Sequence, residues 1–547
     1  MRVTFQPNDV VVECFDFYEV TIDIVDPTFH NPFTEVEVFG LFGEDKAPFT
    51  WTYDLPDNQI GKGSNSDYLI PVDGFCDSPD GSVFRIRFMP RSAGSYIGTI
   101  VLKYQGKVWS HEEKFEVRDA GRRGPLRVDP EHPFHFQWEG TGEHFFYNAM
   151  TTYHLLGIRR DEEINRTIDR FHISKVNRLR VLINSCRWKN AMLYSEPVYE
   201  SDDFTFLYGP WIAERPDNHA NPGWDETRFD VGYWQKIERT LAYARDRSMI
   251  ISIIMYGDAF RPGCDPFGKE RMGGQDEQRY FRYAAARLSA YSNITWDLTN
   301  EYRLIRPHEW VERMGYFLRS CDPYRHLISC HGHETFEFRT SGWADFAMYQ
   351  RWDEFGGYDY MINNRNLQIE TGRIIPQVNE EYGYEDHYPS FGGKEAPARS
   401  ADTLRRKAWE IYMAGCYQTS GEYAGSGLGG WVNGRGDDSM TLLNHYAPIV
   451  TFFENCEWWR TTPDNSLIDN PGCYCLADPG GLYIVYSPVG QEIRIKLASG
   501  SYGAIWFHPK SGVYGERREL ASNGEILTIS CPDHRNDMVL QISAVTR

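Results

Sequence analysis

Two short segments of this 547-residue chain end an apolar run in a carboxylate. One reads Ile294-Thr-Trp-Asp-Leu-Thr-Asn-Glu-Tyr302, the other Ile375-Pro-Gln-Val-Asn-Glu-Glu-Tyr-Gly-Tyr-Glu385. Two carboxylates facing one ligand can divide a hydrolysis between them: one protonates the leaving oxygen, the other attacks or activates water. Cleavage of a sugar linkage needs such a pair. Asn-Glu alone also suits the start of a helix, where Asn caps and Glu meets the positive end of the dipole. Its occurrence at the ends of two separate strands favours chemistry. In the second segment a strand turns neighbouring side chains to opposite sides, so only one of Glu380 and Glu381 is expected to enter the site. Glu385 is a third competitor.

Weaker candidates end other strands. His331 and His333 share a side by period two and could hold hydroxyls or a metal. A metal-dependent hydrolase also needs ligands on the first strand, where the one histidine, His144, stands at the wrong end, so no metal is expected. Tyr256 and Asp258 end a third strand, Glu422 and Tyr423 an eighth; each is a subsite contact or a loop anchor. Trp188 and Trp224 fall in a long loop after strand two. There they can offer a flat face to a sugar ring or pack the loop onto its own scaffold.

The elements that would position these groups change grammar twice along the chain. Residues 1–118 read as short alternating strands (Val20–Val25, Thr34–Leu41, Val83–Met89, Ser95–Tyr104, Lys114–Val117) separated by turns, the pattern of an immunoglobulin-like β-sandwich. Residues 119–460 alternate buried-type strands with amphipathic helices. The strands are expected at His144–Thr151, Arg178–Asn184, Met249–Asp258, Ile294–Glu301, Leu327–His333, Ala344–Trp352, Ile374–Glu381 and Cys416–Tyr423. Helices are expected at 161–174, 230–247, 275–291, 307–320, 396–413 and 446–459. Within 230–247, Trp234, Ile237, Leu241 and Ala244 fall on one face. Eight strands with mostly helical connections predict an α/β fold, a parallel (β/α)8 TIM barrel, with a doubly wound open sheet as the alternative. The fifth and sixth connections are the least helical. Residues 461–547 return to strands and predict a small C-terminal antiparallel β domain. In a barrel, the carboxyl ends of the strands converge at one mouth, and strands four and seven face each other across it.

Bulk properties narrow the partners. Hydrophobic residues make up 41% and charged residues 24% of the chain, compatible with a large core. A net charge of −20 disfavours nucleic acid and anionic membrane. Aromatic residues reach 15%, which suits sugar-ring packing but equally a large β-rich core. No stretch resembles a signal peptide or a membrane span, and the 11 cysteines show no framework spacing, so a reduced, cytoplasmic setting is expected.

Asn300-Glu301 resembles the acid/base signature of clan A glycoside hydrolases, and Glu381-Tyr382-Gly383 resembles that clan's nucleophile strand. The resemblance implies Glu301 as acid/base and Glu381 as nucleophile. It also implies Asn300 as the contact to the sugar 2-hydroxyl, Arg180 as support for the nucleophile, and Tyr349 as a hydrogen-bond partner of Glu381. A closer likeness is to apiosidase-like hydrolases with β domains on both sides. It rests on Gly124-Pro-Leu-Arg-Val-Asp-Pro130, Phe88-Met-Pro-Arg-Ser-Ala-Gly94 and Tyr483–Gly512. The chain departs from that family at strand four, where the family's acid/base is an aspartate and this chain has Glu301. The implied activity is retaining hydrolysis of an oligosaccharide or glycoside, with a carbohydrate partner and no cofactor. A non-catalytic carbohydrate-binding barrel and a metal-dependent hydrolase are the rivals. The N-terminal sandwich is expected to cap the barrel mouth or to mediate a homodimer.

Overall fold

The computed structural model describes residues 1–45, 69–184, 202–218, 221–257, 265–352, 356–386, 399–421 and 440–545. At its centre, eight parallel strands run in register: β1 (Asn148–Thr151), β2 (Arg178–Leu182), β3 (Ile250–Ile254), β4 (Ile294–Asp297), β5 (Ile328–Ser329), β6 (Ala347–Gln350), β7 (Gln377–Glu381) and β8 (Tyr417–Gly421). Their spatial order is β5-β4-β3-β2-β1-β8-β7-β6. A single parallel bridge, His331 to Met348, joins the two outer members and nearly closes the sheet into a barrel. The Asp345 amide, donating to the Ile328 carbonyl at 2.8 Å, and the Ser329 hydroxyl, donating to the Phe346 carbonyl at 2.6 Å, reinforce the same seam. This arrangement selects the barrel over the open sheet.

Each strand is buried on both faces because helices cover the outside. The helices are α1 (Asp161–Ile173), α2 (Val231–Arg245), α3 (Gln275–Leu288), α4 (His308–Cys321), α5 (Tyr358–Glu370), α6 (Ala401–Met413) and α7 (Thr441–Glu454). In α2 the expected face is the buried one: Trp234, Ile237, Leu241 and Ala244 are all inside. Burial of each large member contributes roughly 1.5–3 kcal/mol. Asp230 caps this helix by accepting from the Tyr233 amide.

Helix α5 escaped the periodicity because its inward face is half polar. Asn364, Arg365 and Gln368 are buried, whereas Leu367 and Ile369 are exposed. Arg339 from the β5–β6 connection satisfies that face, donating to Asn364 Oδ1 at 2.6 Å. The β5–β6 connection itself carries no helix. Helix α7 starts five residues before the expected 446 because Glu385 accepts from the Thr441 and Leu442 amides at its first turn.

The first barrel strand is shorter than expected. His144–Phe145 instead pairs antiparallel with Phe136–Trp138, and Phe136 packs against Tyr147, Phe346 and Tyr417 at the amino-terminal end of the barrel. His144 stacks on Trp459 at 3.9 Å and bonds Asp129, remote from the mouth.

Before the barrel, a four-stranded and a five-stranded sheet enclose a separate core that includes Tyr18, Val20, Ile22, Phe42, Ile86, Ile100 and Phe115. Tyr18–Val25 alternates buried and half-buried residues, as a strand with one face on a core must. Where a strand was expected from Thr34, Asn31 caps a short helix over Pro32–Glu35 and the strand begins at Glu37. This region packs against α2 and α3 rather than over the mouth: Arg87 pairs with Glu238 at 2.5 Å, and Asp77 pairs with Arg287. After the barrel, antiparallel strands over 474–544 lie on α6 and α7, with Trp409 stacked on Tyr486 at 5.4 Å and Phe452 against Phe507 at 5.0 Å. No described helix is long and apolar enough to cross a membrane.

Candidate active site

The carboxyl ends of the strands meet around one guanidinium. Arg180, on β2, is fully buried. Its Nη1 lies 3.2 Å from Glu381 Oε1 at the end of β7, and its Nη2 donates to Asp297 Oδ2 at 3.0 Å and to Asn300 Oδ1 at 3.1 Å. Its Nε lies 3.1 Å from Glu380 Oε1. A planar group with donors on every edge can hold several acceptors in fixed relation, as a lysine cannot. Arg180 therefore ties the ends of β2, β4 and β7 together.

Glu380 and Glu381 both face the interior, contrary to the expectation that only one would. The β6–β7 register explains it: Tyr349 pairs with Asn379 but Gln350 pairs with Glu381, so Glu380 is the extra residue of a bulge. Alternation is broken there. Glu380 points deeper, where Arg178 Nη1 donates at 2.5 Å, the Tyr147 hydroxyl at 2.8 Å and the Thr419 hydroxyl at 3.1 Å. Burial opposes its charge, but Arg178 and Arg180 together hold its carboxyl below the usual glutamate range. Glu381 stands above it, toward the mouth. Its Oε1 receives the Tyr153 hydroxyl, and its Oε2 receives Gln350 Nε2 at 3.3 Å. Tyr384 also bonds it.

Tyr349 does not reach Glu381. Its hydroxyl donates to Gln377 at 2.6 Å and its ring packs against Tyr360 of α5, so it faces the helical layer and not Glu381. Tyr153, two residues beyond β1, takes that place. Burial, and then the neighbouring Glu381 charge, push its phenol well above the ordinary tyrosine value, so it serves as a donor. Period two carries Thr151 and Tyr153 to the same side, a signal available in the sequence.

At strand four, Asn300 and Glu301 occupy the turn after β4. The Asn300 amide donates to the Tyr256 carbonyl at 2.8 Å, and the Tyr302 amide to the His331 carbonyl at 3.1 Å, clamping the turn between β3 and β5. Glu301 adopts φ 44°, ψ 54°, a left-handed conformation that costs a non-glycine residue about 1 kcal/mol. The Glu301 amide donates to His331 Nδ1 at 3.3 Å. That acceptance leaves the His331 proton on Nε2, which lies 4.0 Å from Glu381 Oε1. Burial and the Arg180 cation keep His331 well below the usual histidine value, hence neutral. One imidazole thus accepts from the Glu301 backbone and stands close to the Glu381 carboxylate. With Asn300 Oδ1 facing Arg180 and the Tyr153 hydroxyl at 2.9 Å, its amide nitrogen is the donor left for a ligand. His333 is half-buried, near Glu381 and Arg303.

Two glycines mark where backbone and side chains crowd. Gly383, in the Glu-Tyr-Gly motif, has φ 143°, and a Cβ there would stand 2.8 Å from Arg399 Nη1. At Gly421 a Cβ would meet the Tyr384 ring at 1.6 Å, so the end of β8 must be bare for Tyr384 to reach Glu381.

Other expected residues fall elsewhere. Tyr256 is fully buried among Tyr280, Phe281 and Trp310, with Arg306 over its face at 4.9 Å, between barrel and helices. Trp224 is half-buried on a hairpin of the β2–α2 connection, edge-on to Trp211 at 5.8 Å. Trp188, Asp258, Glu422 and Tyr423 lie outside the described residues. Among the described residues no group of three or more His, Cys, Asp or Glu is gathered as a cation site. Asp297 was not singled out by its sequence, where it reads as one polar residue inside Trp-Asp-Leu. Burial lifts its carboxyl to about 6 despite Arg180.

Comparison with known proteins places this constellation. Residues 135–423 match the family model described as apiosidase-like, catalytic domain. No curated protein matches the chain. A solved structure from Bacteroides vulgatus ATCC 8482, classed among the glycoside hydrolases, is 20% identical with a TM-score of 0.74, covering 98% of this chain and 100% of that one. A glycoside hydrolase family 5 structure from the same organism is 17% identical with a TM-score of 0.59, covering 77% of this chain and 94% of that one. Another structure, titled glycoside hydrolase, is 16% identical with a TM-score of 0.60, covering 78% and 98%. At these identities the structural likeness speaks for the fold.

Proposed function

We propose that this chain, which belongs to the apiosidase-like family and is a glycoside hydrolase, cleaves its glycoside with retention through Glu381 as nucleophile and Glu301 as acid/base. The observation that carries the reading is the setting of Glu381 at the barrel mouth. One oxygen is held by Arg180 and Tyr153 and the other by Gln350, which orients the carboxylate toward the mouth. In the first step a Glu381 oxygen bonds the anomeric carbon while the glycosidic bond breaks and Glu301 gives its proton to the departing oxygen. In the second, Glu301 takes a proton from water, the water oxygen bonds the anomeric carbon, and the ester to Glu381 breaks. Two inversions return the original configuration. Asn300 Nδ2 is the donor for the 2-hydroxyl, and His333 lines the mouth.

Positive charge develops on the ring in the transition state. The site answers it with carboxylates in excess of cations, since Arg178 and Arg180 face Glu380, Glu381 and Asp297 before Glu301 is counted. A non-catalytic binding site has no use for that excess or for a strained Glu301.

The test is turnover against a panel of aryl glycosides, with the first-formed anomer read by proton NMR. A slow 2-fluoro glycoside of the accepted sugar should leave its glycosyl group on Glu381, located by peptide mass spectrometry. A first-formed product of inverted configuration, or no covalent adduct, overturns the retaining reading.

A further inference from the structure

Glu380 has no part in those two steps and is nevertheless a fully buried carboxylate. An ionised group out of water survives only when paired and hydrogen-bonded, and an apolar side chain of that size is the ordinary occupant of such a place. Its oxygens are enclosed by groups from three elements: Arg178 and Arg180 of β2, Tyr147 ahead of β1, and Thr419 of β8. No ligand can reach it past Arg180. Arg178 is anchored in turn by the Ser252 hydroxyl of β3 at 2.6 Å and by the Tyr147 hydroxyl.

The two glutamates therefore meet one guanidinium at different nitrogens. Glu380 Oε1 lies 3.1 Å from Nε and Glu381 Oε1 3.2 Å from Nη1, while Asp297 and Asn300 accept from Nη2. A planar ion held at one nitrogen keeps its orientation when the groups at the others change charge or move. We propose that Glu380, paired with Arg178, is a positioning residue that fixes the plane of Arg180 from behind and sets the net charge felt by Glu381. The inference rests on the reading of Glu381 as nucleophile.

The charge has a direction that can be measured. Facing Glu381 are Arg180, Tyr153, Tyr384, His331, His333 and Gln350, with Glu301 beyond Tyr153. Facing Glu380 are Arg178, Arg180, Tyr147 and Thr419, with Asp297 across Arg180. Removing the Glu380 charge leaves two arginines on fewer carboxylates, so Glu381 and Asp297 stay ionised to lower pH. Removing the Arg178 charge does the opposite.

The experiment is the pH dependence of kcat/KM for full-length wild type, Glu380→Gln, Glu380→Asp and Arg178→Gln. It is combined with 2-fluoro glycoside labelling of the wild type. Glu380→Gln should lose at least tenfold in kcat with KM within twofold, and its acidic limb should move down by about one pH unit. Arg178→Gln should move the limb upward, and Glu380→Asp, which keeps the charge, should leave it in place. A purely structural residue lowers Tm without moving the limb in opposite senses. If Glu380→Gln does not fold, the Arg178→Gln and Glu380→Asp profiles decide. Labelling on Glu381 with coincident limbs in all variants overturns the role of Glu380 alone. Labelling on Glu380, or none, overturns the assignment of Glu381 as well.

Discussion

Two of the buried clusters of arginine and carboxylate in this molecule stand in contrast: one joins two parts of the fold, and the other faces a mouth. Where the N-terminal sheets meet α2 and α3, Arg85, Arg87 and Arg287 engage Glu19, Asp77 and Glu238. Three cations meet three carboxylates, Asp77 is held below the ordinary aspartate value, and the cluster is closed on itself. In the barrel, two arginines serve Glu380, Glu381 and Asp297, and burial lifts Asp297 to about 6. The lumen also carries a β-bulge and a left-handed Glu301, whereas the pairing of Tyr18–Asp23 with Val83–Phe88, which carries Glu19, Arg85 and Arg87, is regular. Between these two clusters, charge balance goes with the joint between two parts of the fold, and surplus charge together with backbone strain goes with the mouth.

The sharpest way to separate them is to remove the proposed nucleophile. Glu381→Ala should lower kcat/KM by at least about 10⁴-fold while leaving Tm within a few degrees, because its carboxylate faces the mouth. Glu301→Ala should be severe on natural linkages and mild on substrates with good leaving groups, with azide restoring turnover. In the seam the pattern should invert. Arg287→Ala takes one of two arginine partners from each of Asp77 and Glu238 and should cost about 3 kcal/mol in urea unfolding, with kcat/KM of the folded fraction unchanged. Activity lost in Arg287→Ala without loss of stability would break the contrast.

Tyr153→Phe should cost about 10–100-fold in kcat, since it removes one charge-assisted donor from Glu381 and keeps the ring. Tyr349→Phe should be near neutral in kcat, its hydroxyl being spoken for by Gln377. This pair of substitutions also shows what was legible in the sequence. The barrel, its strand order, the flanking β regions and the neighbourhood of Glu301, Glu381, Asn300 and Arg180 could be read from apolar runs and their polar ends. A register shift of one residue could not, because a bulge leaves no periodic trace, and it turned Glu380 inward beside Glu381. Helix α5 was hidden for a related reason: its buried side is Asn364, Arg365 and Gln368, so burial there follows hydrogen bonding and not hydropathy. For Tyr256 the sequence leaves subsite contact and loop anchor open, because strand ends alone do not say which side a side chain takes.

The smallest effect expected is the pH response. Asp77, depressed in the folded state, contributes stability at all pH values above about 4 and loses it only as the pH falls through its lowered value. The stability difference between wild type and Arg287→Ala should therefore be the same at pH 7 and pH 5. Asp297 is raised, so its protonated form is favoured in the folded state from the ordinary aspartate value up to about 6. It adds stability at low pH and withdraws it as pH rises through that value. Its proton loosens the hold on Arg180, and kcat/KM should fall with an acidic limb near pH 6 before the fold is lost. A limb near pH 4 would place the titration on another group.

The barrel closes at β5 and β6 through one parallel bridge and a few hydrogen bonds, and His331, which forms that bridge, also accepts from the Glu301 amide and lies 4.0 Å from Glu381. The thinnest joint of the cylinder and the proposed catalytic site thus share a single spot. Warmth that lets this joint breathe must move the imidazole away from the Glu301 backbone and the Glu381 carboxylate at once, while the thickly paired staves from β1 to β4 still hold. Such an enzyme falls silent before it melts, and a few well-chosen contacts between Ser329 and Phe346 would do more for its working temperature than any repair of its large and already tight interior.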